Sequence, residues 1–215
     1  KKVGKKTPSF FCSITFFKMD NILNLARYGD SPIMGRKVPS LIMDEITEWV
    51  DESKRIKNSP LAELKAHENA GYLANSEGKK HNSYQCSISP HLIDKSFWLA
   101  WVLRLVAKYS ENKNNRGYKL RKWEGHFDGY DIWTNFSYKG DVNPSHDHSG
   151  YVSGVIYYKN HNHPTIFDDY DLSYPGYDGT MVLFSSHVIH HVEPQIEDKE
   201  RITLAFNIVT TGKHE

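Results

Sequence analysis

The sequence has little of several things, and each scarcity excludes something. Of its 215 residues only two are cysteines, Cys12 and Cys86, far apart and in no metal-binding or redox spacing. A disulfide-stapled scaffold is therefore excluded; a reducing compartment fits, and a single pairing of the two thiols stays open. Neither sign of charge is in surplus. Twenty-seven basic residues face 26 acidic ones, and a net of +1 offers no general attraction to nucleic acid or to an anionic membrane. No apolar run approaches the roughly 18 residues of a membrane span. The N-terminal "KKVGKKTPSFFCSITFF" sets basic residues before apolar ones but lacks a clean apolar core and a small-residue cleavage site. It reads as a solvated basic tip leading into a strand. No internal repeat or low-complexity tract occurs. These absences leave a soluble, cytoplasmic chain of single-domain length, able to bury a core without staples.

Histidine, by contrast, is plentiful. Seven of the 12 lie between His146 and His191, and histidine is the commonest metal ligand at neutral pH. Around that cluster the chain changes character. Before residue 117 it is largely helical in pattern. "PSLIMDEITEWVDESKRIKN" places Ile42, Ile46, Trp49 and Val50 on one helical face, with Pro39 and Ser40 as start signals. "SPHLIDKSFWLAWVLRLVAKYSEN" predicts one long amphipathic helix from Pro90, with Phe97, Trp101 and Leu105 on a face and Gly117 as the stop. The intervening "NSPLAELKAHENAGYLANSEGKKHNSYQ" reads as a short helix and then a loop. After residue 117, "YKLRKWEGHF", "YDIWTNFSY", "YVSGVIYYK", "GTMVLFSS" and "RITLAFNIVT" are short, rich in β-branched and aromatic residues, and separated by turn formers. Helices followed by strands predict an α+β domain: residues 1–116 as helical support packed on one sheet, residues 117–210 as a barrel or sandwich core.

The motif that carries chemistry is "HDHSGYVSGVIYY". Alternation along a strand lets His146 and His148 share a face while Asp147 points away; a shifted register would bring in Asp147 as the rival ligand. A third ligand must come from elsewhere, and "LFSSHVIHHVEPQ" again joins a strand to a histidine pair. Three groups from two strands can hold a metal facially and leave positions open.

Taken in order, "HDHSGYVSGVIYY", "LFSSHVIHHVEP" and "ERITLAFN" resemble the double-stranded β-helix (a jelly-roll or cupin-like core) of iron(II)- and 2-oxoglutarate-dependent oxygenases. More narrowly they resemble a bacterial and phage subfamily in which the segments run HxH, SGVYY, HxVxP and ERIS. The likeness covers about residues 130–209, less than half the chain. It implies iron(II) on His146, His148 and His190, the last standing two before Val192 and four before Pro194. It implies that Arg201, 11 residues on, pairs with the distal carboxylate of 2-oxoglutarate, with Thr203 adding its hydroxyl from the same strand face. A guanidinium suits that task because it stays charged when buried and grips a carboxylate through two parallel bonds. Tyr157, sharing a face with Ser153 and Val155, is expected to line the cosubstrate site together with Ser153 and Asn135; Tyr158 is its rival if a bulge intervenes. Most of the wider family uses a carboxylate where His148 stands; the narrower subfamily shares the His-x-His.

The implied activity is hydroxylation of an unidentified peptide, protein or small molecule, coupled to decarboxylation of 2-oxoglutarate to succinate and carbon dioxide. Nucleic-acid and membrane partners are not expected, and a homodimer is open. Two alternatives stand beside it: a three-histidine, cupin-like metalloenzyme of thiol dioxygenase type that uses no 2-oxoglutarate, or a non-catalytic ligand-binding barrel. Zinc suits three imidazoles as iron does. For Arg201 the plainer reading is an ion pair with Glu197 or Glu200. His187 and His191 read as surface or supporting residues, His161 and His163 as a solvated turn whose His-x-His is the main competitor as a metal pair, and the loop 168–178 as a lid or a plain surface loop.

Overall fold

The computed structural model describes residues 26–27, 32–62, 83–111 and 127–210. The strand predicted over "SFFCSITFF", the part of the predicted short helix beyond Ala62, the Gly117 stop and all of "YKLRKWEGHF" but Phe127 lie outside the described residues; residues 58–62, where that helix was to begin, are turn.

Helix α1 (Ser40–Lys57) forms as its pattern predicts, burying Ile42, Ile46, Trp49 and Val50, with Pro39 extended at its entrance. Lys54, Arg55 and Lys57 occupy its last turn, where cations favour the carbonyl end of the helix. The long second helix is two: α2 (Pro90–Ile93) and α3 (Phe97–Glu111). Ser96, the local N-cap candidate for α3, donates its hydroxyl back to Ile93 O instead. The α3 amides find their acceptor on α1: Glu45 takes Phe97 N at 2.8 Å and Trp98 N at 3.0 Å. The break turns Phe97 outward, 56% exposed, and the buried stripe runs through Trp98, Trp101, Val102, Leu105, Val106 and Tyr109.

The strands are β1 (Ala26–Arg27), β2 (Met34–Lys37), β3 (Tyr84–Ser87), β4 (Gly129–Ser137), β5 (Asn143–His146), β6 (Val152–Lys159), β7 (Thr165–Phe167), β8 (Leu172–Tyr174), β9 (Thr180–Ser185), β10 (His190–Val192) and β11 (Arg201–Val209). They make a seven-stranded sheet, β1-β2-β9-β6-β11-β4-β3, and a four-stranded sheet, β5-β10-β7-β8, with every pairing antiparallel. This is the double-stranded β-helix, with helices packed on one sheet. β2 and β3 come from the N-terminal part, so that part adds strands to the large sheet as well as helices. Tyr84 and Gln85, which close the predicted loop, instead begin β3, whose four residues pair with Trp133 to Phe136 of β4, a partner no local pattern reveals.

Alternation sorts the large sheet's side chains. Ile132, Phe136, Ile156, Leu204 and Phe206 face the helices, where Trp98 meets Trp49 and Phe206 edge-on at 5.7 and 5.2 Å. Gly154 lies beneath the Phe206 ring; a Cβ there would come within 2.3 Å of it. The opposite face looks toward the small sheet. A second apolar cluster of Tyr157, Phe167, Tyr174, Val182 and Phe184 closes one part of the space between the sheets. The loop 168–178 is no free lid: it holds a 3-10 turn, the edge strand β8 and the buried Tyr174. Among the described residues no helix is long and apolar enough to cross a membrane.

Candidate active site

β5 pairs with β10 so that His146 and His190 are direct cross-strand partners, and β7 sets Phe167 opposite His190 on the other side. Such pairs bring side chains together without any loop. His148 arrives differently. It lies past the end of β5, where its backbone N–H donates to Ser186 O at 2.8 Å, so the loop path and not strand alternation turns its ring inward. The His146 and His190 ring centres are 4.3 Å apart, and His148 lies 4.9 and 5.2 Å from them. One nitrogen from each falls within 4.8 Å of the others. Asp147 is exposed and stands outside this cluster.

The hydrogen bonds behind the rings settle the tautomers. His146 Nδ1 is 2.7 Å from Pro144 O and His190 Nδ1 is 2.9 Å from Val188 O. A carbonyl only accepts, so each Nδ1 carries the proton and each Nε2 keeps a bare lone pair, as a metal ligand requires. Burial holds the His190 imidazole well below its ordinary range, helped by the neighbouring His146 and His148 rings. Burial also lowers His146, against the opposing hydrogen bond to Pro144. On the other side of these strands His191 Nδ1 lies 2.6 Å from an Asp168 oxygen, and Asp168 also accepts from Ser145. Residues adjacent to two of the histidines are thus tied through one carboxylate. His187 is exposed.

The three histidines line a cavity of about 400 Å³ that also takes in Arg201, Thr203, Asn135 and Ser153. Arg201 opens β11 and is only 5% exposed. The carboxylates flanking it in sequence are engaged elsewhere: Glu197 pairs with Lys199 at 2.8 Å, and Glu200 binds Lys57 at 3.1 Å and the Tyr138 hydroxyl at 2.7 Å. Among the described residues Arg201 forms no ion pair. Burial lowers its pKa to about 10, partly offset by the nearby Tyr157. A buried cation without a counter-ion is costly unless an anion completes it.

Thr203 lies between Asn135 on β4 and Tyr157 on β6. Asn135 donates to Thr203 Oγ1 at 3.3 Å and accepts from Gln85 and Trp133 at 2.8 and 3.0 Å, which leaves the Thr203 O–H to be aimed at a ligand. Tyr157 is the inward tyrosine of the pair; Tyr158 packs on the helix side. The Tyr157 hydroxyl donates to Thr165, a cavity residue, at 2.9 Å. Ser153 donates to Asn207 Oδ1 at 2.7 Å and lies 2.8 Å from Ser186 Oγ.

The residues the sequence did not announce lie near Arg201. His163, read as part of a solvated turn, is half-buried in the cavity wall with Nε2 2.9 Å from Glu193 O, and burial lowers its pKa. His161 Nε2 lies 3.1 Å from Glu200 O. Gln195 lines the cavity and ties the loop before Arg201 through Glu197 O and Lys199 O. The two histidines contact backbone carbonyls 30 and 39 residues away, which leaves no local signal, whereas Gln195 reaches carbonyls only 2 and 4 residues on.

No protein-family model matches the chain, and no curated protein matches it by sequence. Its shape is similar to that of solved oxygenases. A prolyl-4-hydroxylase from Pseudomonas putida superposes with a TM-score of 0.53 at 16% identity, covering 85% of this chain and 94% of that one. Dioxygenase for auxin oxidation 1 from Arabidopsis thaliana, in complex with 2-oxoglutarate, gives 0.56 at 11% identity, covering 86% of each chain. JOX2, in complex with 2-oxoglutarate, iron and JA, gives 0.58 at 14% identity, covering 91% of this chain and 72% of that one. The chain therefore has the fold of 2-oxoglutarate- and iron-dependent oxygenases, and the three-histidine cluster fits that fold.

Proposed function

We propose that this protein is an iron(II)- and 2-oxoglutarate-dependent oxygenase, a single domain that hydroxylates a substrate while 2-oxoglutarate is converted to succinate and carbon dioxide. One observation carries the reading. Three clustered imidazoles, two of them shown with a bare Nε2, and a buried arginine without an ion pair among the described residues line the same cavity. Iron(II) suits three neutral nitrogens in a facial arrangement, and 2-oxoglutarate supplies both a chelating 2-oxo acid and a distal carboxylate for a guanidinium. When bound, iron and cosubstrate supply the oxidation of a C–H bond.

The chain's own residues hold and orient. His146, His148 and His190 would bind the metal. Arg201 would take the distal carboxylate through paired N–H donors, with the Thr203 hydroxyl beside it and Asn135 fixing that hydroxyl. Ser153 and Tyr157 shape the wall, Tyr157 through Thr165. Phe184 and Phe167 pack against His190 at 4.8 and 6.0 Å and keep water from that side of the metal position. The thiol-dioxygenase alternative does not call for a dicarboxylic 2-oxo acid and should depend far less on Arg201; the burial of Arg201 without an ion pair among the described residues favours the cosubstrate reading. A cytoplasmic setting, where iron(II) and 2-oxoglutarate are both at hand, belongs to the same proposal.

The test is succinate formation by protein loaded anaerobically with iron(II) and then given oxygen, with and without 2-oxoglutarate, in wild type and Arg201→Ala. Iron-dependent succinate that disappears in the variant supports the reading. If neither succinate nor 2-oxoglutarate binding to the iron protein is found, it fails.

A further inference from the structure

A guanidinium that must grip a carboxylate has to be aimed before the ligand arrives, and a carboxylate partner would cancel the charge it needs. In this protein the partner is an amide. Arg201 Nε donates to Asn160 Oδ1 at 2.5 Å, across 41 residues of chain. Asn160 is fully buried at the end of β6, and its other end is saturated: Nδ2 faces His163 O at 2.7 Å, Gly176 O at 2.6 Å and Pro175 O at 3.4 Å. Those carbonyls can only accept, so the amide orientation is fixed, with its nitrogen toward them and its oxygen toward Arg201. They also demand an amide, because an aspartate here would set its oxygens against three carbonyls.

The surrounding turn is built around this contact. Asn160 N is held by Asp178 Oδ1 at 2.6 Å. Gly176 has φ +59, and a Cβ there would meet Asn160 Nδ2 at 2.5 Å and the Tyr157 ring at 2.6 Å, so only glycine lets the carbonyl come this close. His161 and Asn162 both take left-handed backbone angles, φ 55 and 57, strained for the histidine. The strained turn delivers His161 to Glu200 O, immediately before Arg201, and His163 to Glu193 O. The β6–β7 turn therefore grips both the side chain of Arg201 and the loop that leads into it.

We infer that Asn160 is a positioning residue for the cosubstrate arginine: it fixes the plane of the Arg201 guanidinium without neutralising it, leaving the charge and the terminal N–H groups for the distal carboxylate of a dicarboxylic 2-oxo acid. This rests on the oxygenase reading above.

The test is anaerobic calorimetry on the full iron(II)-loaded chain with 2-oxoglutarate and with 2-oxobutyrate, which lacks the distal carboxylate. Wild type, Asn160→Ala, Asn160→Ser, Arg201→Ala and the Asn160→Ala/Arg201→Ala double variant are compared. Loss of Asn160 is expected to weaken 2-oxoglutarate about tenfold or more, as removing an orienting partner does at other liganded sites. 2-Oxobutyrate should be unaffected, and Asn160→Ala should cost nothing further once Arg201 is gone. Equal weakening of both acids, a further loss in the double variant, or no effect of Asn160→Ala would overturn the inference while leaving the oxygenase reading intact. Arg201→Ala binding 2-oxoglutarate as wild type does would instead sink that reading, and the inference with it. Should both Asn160 variants fail to fold, wild type decides alone. In ¹⁵N-arginine-labelled protein free of ligand, the Arg201 Nε–H resonance, identified by its loss in Arg201→Lys, should exchange slowly with solvent. Rapid exchange like that of surface arginines overturns the inference.

Discussion

In the proposed metal site His148 stands where most of the oxygenases that the motifs resemble carry a carboxylate, which would change the charge there. Three imidazoles contribute none, so they would hold a divalent ion without offsetting its charge and leave that to an anionic cosubstrate. The neighbouring Asp147 does not make up the difference, being exposed and outside the cluster. Asp147→Asn is accordingly expected to retain iron and turn over close to wild type. His148→Ala should weaken iron(II) binding by more than the roughly 10–100-fold typical of outer-shell changes, checked by equilibrium dialysis under nitrogen. The histidines also predict a pH response. His146, His163 and His190 are all held below the ordinary imidazole value of about 6.5 by burial. Below that pH the unfolded chain takes up protons that the folded chain resists. Their stabilising effect is thus complete above about pH 6.5 and is lost as pH falls toward the folded-state values. Metal-free protein should therefore lose melting temperature steadily between about pH 7 and 5, and His190→Gln should flatten that slope; an unchanged slope would refute the assignment.

At the scale of the element, two contacts join helices to sheet and helix to helix. Glu45 on α1 serves as the N-terminal cap of α3 by accepting two of its first amides. Glu45→Ala should cost about 1 kcal/mol, as loss of a cap does, in urea unfolding. Gly154 admits the Phe206 ring to the surface of β6, and that ring is itself pressed against Trp98. Gly154→Ala therefore has no room to relax and should destabilise by about 1–3 kcal/mol through overpacking, readable in the same experiment. A neutral outcome would mean that the ring is free to move. Short strands fare differently from long ones. β10 has only three residues, yet it is central in the small sheet between β5 and β7, and this is what holds His190 opposite His146.

At the scale of the whole molecule, a ligand that binds the folded state alone raises its stability by mass action, about 2.7 kcal/mol at a hundredfold excess over Kd. Iron(II) under nitrogen should raise the melting temperature of wild type, and 2-oxoglutarate should raise it again. In Arg201→Ala the iron step should persist and the 2-oxoglutarate step shrink. Calorimetric scans measure both steps in one sample, and an unaltered second step in the variant would remove Arg201 from the cosubstrate site.

Much of this architecture is legible in the sequence. Helical periodicity placed Ile42, Ile46, Trp49 and Val50 inward, and alternation placed Ser153, Val155 and Tyr157 on one face and Ile156 and Tyr158 on the other, because both periods are properties of the local backbone. The order of the histidine and arginine motifs likewise marked the residues that share the cavity. Other features depend on contacts across long stretches of chain, and no local period encodes them. The chain turns His148 inward by hydrogen-bonding it to Ser186, breaks the predicted second helix so that Glu45 can cap it, and seats Asn160 against Arg201. Among the described residues it also leaves Arg201 without a counter-ion, drawing Glu200 to Lys57 and Tyr138. The kinds of residue were written in the sequence. Only folding decided which buried charge would lack a counter-ion among the described residues, since that depends on where loops carry atoms that the chain itself keeps far apart.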